Sequence, residues 1–142
     1  MESAKDLRVL QISYEETKLA QAALRRSESA LSRARRASES VSRHFDDARF
    51  TALLVAMRRS AETGGKKHLV LTFPSDACTD SGRKINCVES EWGATLQGEA
   101  ADVFRLWQTV LKPQGFHLTA EVLNFPNGMP GDIGLTVSWG GA

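Results

Sequence analysis

Glycine and proline are missing from the first 63 residues of this 142-residue chain; all eleven glycines, all four prolines, both cysteines and all three tryptophans come later. A stretch that withholds both backbone breakers, and is filled with Ala, Leu, Arg, Glu, Gln and Ser, predicts one long helix. About 60 helical residues would reach roughly 90 Å at 1.5 Å per residue, more than one small domain can bury. Most of that arm must pair with another chain or face water.

Other absences exclude whole classes of function. No run of 18 apolar residues occurs, so no segment reads as a membrane-spanning helix. The start Met1-Glu2-Ser3-Ala4-Lys5-Asp6 lacks the apolar core of a signal peptide. Two cysteines cannot build a four-Cys metal site within one chain. His44, His68 and His117 are scattered, with no HExxH, CxxC or GxSxG companion. Asp76, Asp80, Glu89 and Glu91 cluster, but without the alternating spacing and terminal Glu of a calcium loop. The sequence therefore predicts no catalytic residue, no metal site and no cofactor.

Charge excludes a further class. The formal net charge of +1 conceals a gradient: residues 1–62 carry 12 Lys+Arg against 9 Asp+Glu, and residues 63–142 carry 6 against 8. Neither half concentrates basic charge as a dedicated nucleic-acid binder does, so no nucleic-acid partner is expected. Arg25, Arg26, Arg33, Arg35, Arg36 and Arg43 do outnumber Glu28 and Glu39 locally. That surplus leaves an alternative reading, a cytosolic nucleic-acid-associated or regulatory dimer using the Arg-rich helix face. No aromatic residue for base stacking lies among these arginines.

With Leu10 at heptad position a, the a line runs Leu10, Thr17, Leu24, Leu31, Ser38 and Phe45, and the d line Ser13, Ala20, Ser27, Ala34, Val41 and Ala48. This predicts a coiled-coil arm over 1–44, with Leu10, Leu24, Leu31 and Val41 as oligomerisation residues for a homo-oligomer or a paralogous partner. From residue 45 larger side chains take over: Phe50, Leu53, Leu54, Met57 and Ala61 recur at helical spacing, a stripe suited to packing on a sheet. Gly64-Gly65 ends the helix.

Residues 45–142 read as an α+β domain. Strands are expected at His68 to Phe73, around Ile85 and Val88, at Phe116 to Val122 and at Ile133 to Trp139. A second helix carries Ala100, Val103, Phe104, Trp107, Val110 and Leu111 on one face and stops at Pro113. The order αββ-αββ predicts a ferredoxin-like sandwich with a four-stranded antiparallel sheet. One sheet face stays open, and His117, Thr119 and Glu121 on it are the place where a small enzyme or ligand binder would keep its site. If Gly82-Arg83 is a two-residue type II′ turn, Cys78 falls opposite Cys87 in a non-hydrogen-bonded pair, which suits a disulfide and an oxidising compartment; two free thiols are the other reading. Asn124 to Asp132 sets Phe125 and Met129 among Pro and Gly, a semi-rigid knob expected to bind a protein partner.

The layout, a long Ala/Leu/Arg helix running directly into αββ-αββ, resembles the periplasmic portions of inner-membrane platform proteins of bacterial type IV pilus and type II secretion machines. The likeness lies in the order of elements, with no motif match. It implies a non-enzymatic scaffold whose membrane helix and short cytoplasmic tail precede the coiled coil. The chain is then periplasmic if cut from a membrane-anchored parent, and otherwise cytoplasmic, with no membrane contact of its own.

Overall fold

The computed structural model describes residues 3–140. They form two compact units that divide between Ala34 and Arg35. No helix among them is long and apolar enough to cross a membrane.

The stretch without glycine or proline is two helices rather than one: α1, Ala4–Ser42, and α2, Asp47–Glu62. Helix α1 opens on a reciprocal cap, in which Ser3 Oγ accepts from the Asp6 N–H and an Asp6 carboxylate oxygen accepts from the Ser3 N–H. It ends without a breaker residue. Asp46 takes an extended backbone and accepts from the Arg49 N–H at 2.9 Å, starting α2 with Asp47 in its first turn. The compact unit takes in the last turns of α1, where Ala37 and Ser40 are buried, and so begins upstream of residue 45.

The sheet has three strands among the described residues: β1 (Lys67–Pro74), β2 (His117–Val122) and β3 (Asp132–Ser138), in the order β1-β3-β2 with both pairings antiparallel. Strands β1 and β2 are therefore parallel to each other, with β3 between them. They are joined through the short helix α3 (Arg83–Asn86) and through α4 (Glu99–Leu106), which continues as a π-helical turn over Trp107–Leu111. This is a split β-α-β unit preceded by two helices. The architecture is α+β with a long N-terminal helix.

The expected second strand is absent. Asp80 accepts from the N–H groups of Gly82 and Lys84, winding the chain into α3. Val88, just past α3, takes a positive φ that an extended strand residue does not adopt. Ile85 is buried and Val88 is 86% exposed. The four-stranded sheet and the ferredoxin-like duplication go with that strand. So does the expected hairpin: Gly82 adopts a left-handed conformation at the start of α3, and Cys78 and Cys87 are free, the first buried and the second exposed.

A β-bulge between Leu69 and Leu71 turns Leu71 and Phe73 toward the core while Leu69 points outward. The core is built on Ile133, Leu135 and Val137 of β3, each at 0% exposure, with Leu118, with Leu53 and Met57 of α2, and with Ala100, Val103 and Leu111. Leu54, expected beside them, is 42% exposed. The Trp107 indole N–H donates to the Phe116 carbonyl at 3.0 Å, tying the π turn to the start of β2.

Candidate interaction surfaces

The arm is exposed up to the last turns of α1, where Ala37 and Ser40 are buried. Leu10, Leu24 and Leu31 stand 60%, 59% and 67% open to solvent, and Val41 lies at the edge of exposure. The N-terminal half of α1 adds Leu7, Val9, Ile12, Tyr14 and Leu19, all exposed. Of these five the heptad reading used none, because it followed one seam.

Phe125 and Met129 are exposed on a loop that is pinned at its base. Asn124 Oδ1 accepts from the Asp132 N–H at 2.9 Å, and the Gly131 N–H donates to the Asn124 carbonyl. Ser75, the first residue after β1, holds the same base, its N–H donating to the Gly131 carbonyl and its hydroxyl to the Pro130 carbonyl, each at 2.8 Å. At Gly131 a Cβ would come within 1.9 Å of Asn124 Oδ1, so the closure requires glycine. Between the two apolar side chains, Asn127 and Gly128 both take positive φ and make the tip. The loop presents Phe125 and Met129 without having to order itself first, which lowers the entropic cost of a contact.

The sheet's open face carries His117, Thr119 and Glu121 as exposed alternating residues of β2 opposite Ser138, Thr136 and Gly134. The structure brings these three onto one face. Leu69 and Leu123 flank Gly134 there, each with methyl carbons within about 3.3 Å of the position a Cβ would take. They form a small apolar trough on an otherwise polar surface. Elsewhere, an apolar pocket of about 280 Å³ is lined by Leu54, Met57, Arg58, Ala61, Phe116 and Trp139.

The acidic residues considered as a cation loop serve local structure. Asp80 caps α3, Glu89 pairs with Arg83 and Glu91 with Lys84. No group of three or more His, Cys, Asp or Glu among the described residues is placed to hold a metal ion. Burial pushes the Cys78 thiol up to about 11, against a hydrogen bond with Thr95 that lowers it, and Asp80 adds to the rise.

A polar network that the sequence did not reveal gathers at the break between α1 and α2. Glu99, its side chain 4% exposed, accepts from Arg49 at 2.8 Å and from the Ser40 hydroxyl at 3.1 Å. Asp102 accepts from the Phe45 N–H at 3.0 Å and pairs with His44 and Arg105. Burial alone would raise the Asp102 carboxyl; the Phe45 and His44 hydrogen bonds and the neighbouring positive charges outweigh it and hold the group below its ordinary value. His44 is thereby a surface partner of a carboxylate.

No family model, curated protein or solved structure matches this chain.

Proposed function

We propose that the protein is a non-enzymatic assembly element that oligomerises through α1 and recognises a protein partner with its α+β unit. The observation that carries this reading is the line of Leu10, Leu24 and Leu31, more than half exposed on a continuous helix. Burying each such side chain against a partner contributes roughly 1.5–3 kcal/mol, so leaving them in water forgoes a large stabilisation. The pinned Phe125 and Met129 supply the second contact. A secretion or pilus machine is the setting we propose, on the order of arm and domain, with the chain on the periplasmic side of an anchored parent.

Two of the six arginines in the arm's basic stretch support a protein partner over phosphate. Arg36 pairs with Asp132 at 3.3 Å and Arg43 with Glu39 at 3.4 Å.

Sedimentation equilibrium of the full chain tests the arm. Wild type is expected above the 15.6 kDa of one chain. The triple variant Leu10→Ser, Leu24→Ser, Leu31→Ser is expected to form smaller species and to lose the concentration-dependent part of the wild-type stability, while the core of the α+β unit, to which these exposed side chains add nothing, stays folded. A wild-type chain that stays monomeric at high micromolar concentration would refute the proposal.

A further inference from the structure

The N-terminal half of α1 has apolar side chains on two opposite faces. Leu7, Leu10 and Tyr14 follow one another at i, i+3 and i+7, and the same line continues to Leu24 and Leu31. Val9, Ile12 and Leu19 lie at i, i+3 and i+10 on a second line. At 3.6 residues per turn the two lines are roughly 180° apart. Val9, Ile12 and Leu19 are 60%, 52% and 69% exposed, as open as the first line. A helix that pairs through one stripe covers about one face of its neighbour and leaves the opposite face in water. Pairing through Leu10, Leu24 and Leu31 therefore cannot bury Val9, Ile12 and Leu19.

The charges on the second line indicate what covers it. Reading along it, Lys5, Val9, Ile12, Glu16 and Leu19 recur at alternating spacings of four and three. A parallel, in-register copy would set Lys5 against Lys5 and Glu16 against Glu16. An antiparallel copy centred between Leu10 and Gln11 sets Val9 against Ile12 and Lys5 against Glu16, both twice by symmetry. The surrounding charge also permits self-association, since Lys5, Arg8 and Lys18 balance Asp6, Glu15 and Glu16.

We propose that the Val9 and Ile12 face of α1 is a second assembly surface, occupied by another copy of this chain running antiparallel, with Lys5 paired to Glu16 across the contact. This rests on α1 being an assembly arm. It adds a second contact joining two pairs into a four-chain species. Such a contact is small and weak alone, and gains from each pair presenting it twice.

Sedimentation equilibrium of the full chain over a wide concentration range, with point variants, decides the matter. Wild type is expected to reach the mass of four chains. Val9→Ser with Ile12→Ser should stop at two, with unchanged helical signal and unfolding midpoint. Lys5→Glu should weaken the step from two to four about tenfold at low salt, as two exposed pairs turn from attractive to repulsive. Adding Glu16→Lys should restore it, which a parallel pairing cannot do because like charges would still face each other. A wild-type mass of two that Val9→Ser with Ile12→Ser leaves unchanged would overturn this second surface and leave the first seam standing. Failure of the double swap to restore assembly would overturn the antiparallel pairing, and a monomer at every concentration would overturn both seams.

Discussion

Removing Arg49 is expected to destabilise the α+β unit by about 2–4 kcal/mol, although its side chain is 39% exposed. The cost arises at Glu99, whose side chain is 4% exposed and which keeps only the Ser40 hydroxyl once the guanidinium is gone. Breaking a buried pair by deleting one partner costs about 3–5 kcal/mol, because the remaining charge stays desolvated. The loss expected here, about 2–4 kcal/mol, lies somewhat below that range, since the space left by Arg49 admits water to the carboxylate. Arg49 also lies 4.8 Å over the Phe45 ring and donates to the His44 carbonyl at 3.2 Å, so part of the loss belongs to those contacts.

Urea denaturation of Arg49→Ala, Glu99→Gln and the double variant separates the terms. Glu99→Gln keeps the shape and an acceptor for Ser40 while losing the charge, and should cost about 1–2 kcal/mol. The double variant should be more stable than the sum of the single losses by about 1 kcal/mol or more, since no buried charge is left unpaired. A loss below about 0.5 kcal/mol for Arg49→Ala, with single effects that simply add, would show that Glu99 is solvated and that the network does not hold the break between α1 and α2.

The remaining predictions concern titration. Asp102 is held below its ordinary 3.8, so its stabilisation is complete above that pH and is lost as pH falls from there through the lower folded value; the urea midpoint of wild type should therefore drop more between pH 7 and pH 3 than that of Asp102→Asn, and equal drops would contradict the assigned hydrogen bonds. With its thiol raised to about 11 and buried, Cys78 should resist thiol reagents at pH 7 in the folded protein while Cys87 reacts, and two thiols should count after unfolding. A count of zero under non-reducing denaturation would establish the bridge that the free cysteines here lack.

Long-range periodicity was the part of the fold legible in the sequence. The alternation of β2 and β3, the strand at His68 to Phe73 and the inner face of α4 at Ala100 and Val103 lie where spacing places them; Val110, expected on that face, is 39% exposed because the π-helical turn departs from the 3.6-residue period. What escaped was set by local hydrogen bonds or by contacts distant in sequence. Asp46-Asp47 is a good helix start, yet within a run of helix formers it does not reveal that the helix before it must first stop. The stop depends on Phe45, whose N–H is taken by Asp102, and on Gly98, where a Cβ would come within 2.4 Å of the carbonyl oxygens of both Ser40 and Val41. In α2 the spacing put Leu53 and Leu54 on one broad stripe, but a single sheet face buries Leu53 and leaves Leu54 to line a pocket. Phe125 and Met129 stood out by composition; the pinning by Ser75 and Asn124 that makes them a rigid pair requires β1 and the loop base together.

The start of α4 shows why the end of α1 is held by polar groups. Gly98, in a positive-φ conformation, lets the backbone carbonyls of Ser40 and Val41 approach closely. Glu99 and Asp102 then occupy the first turn of α4, where carboxylates are favoured by the helix dipole whatever else they touch. The same two carboxylates receive the Ser40 hydroxyl, the Phe45 N–H and the Arg49 guanidinium, groups drawn from the end of α1, the break and the start of α2. Apolar packing at this point would tolerate a rotation or a slide of the helix end, because dispersion contacts are not directional. Hydrogen bonds to fixed carboxylates do not tolerate it, and every buried side-chain nitrogen and oxygen among the described residues has a partner. Residues Ser40 to Arg49, the end of α1, the break and the start of α2, are thereby held on α4 in one defined geometry.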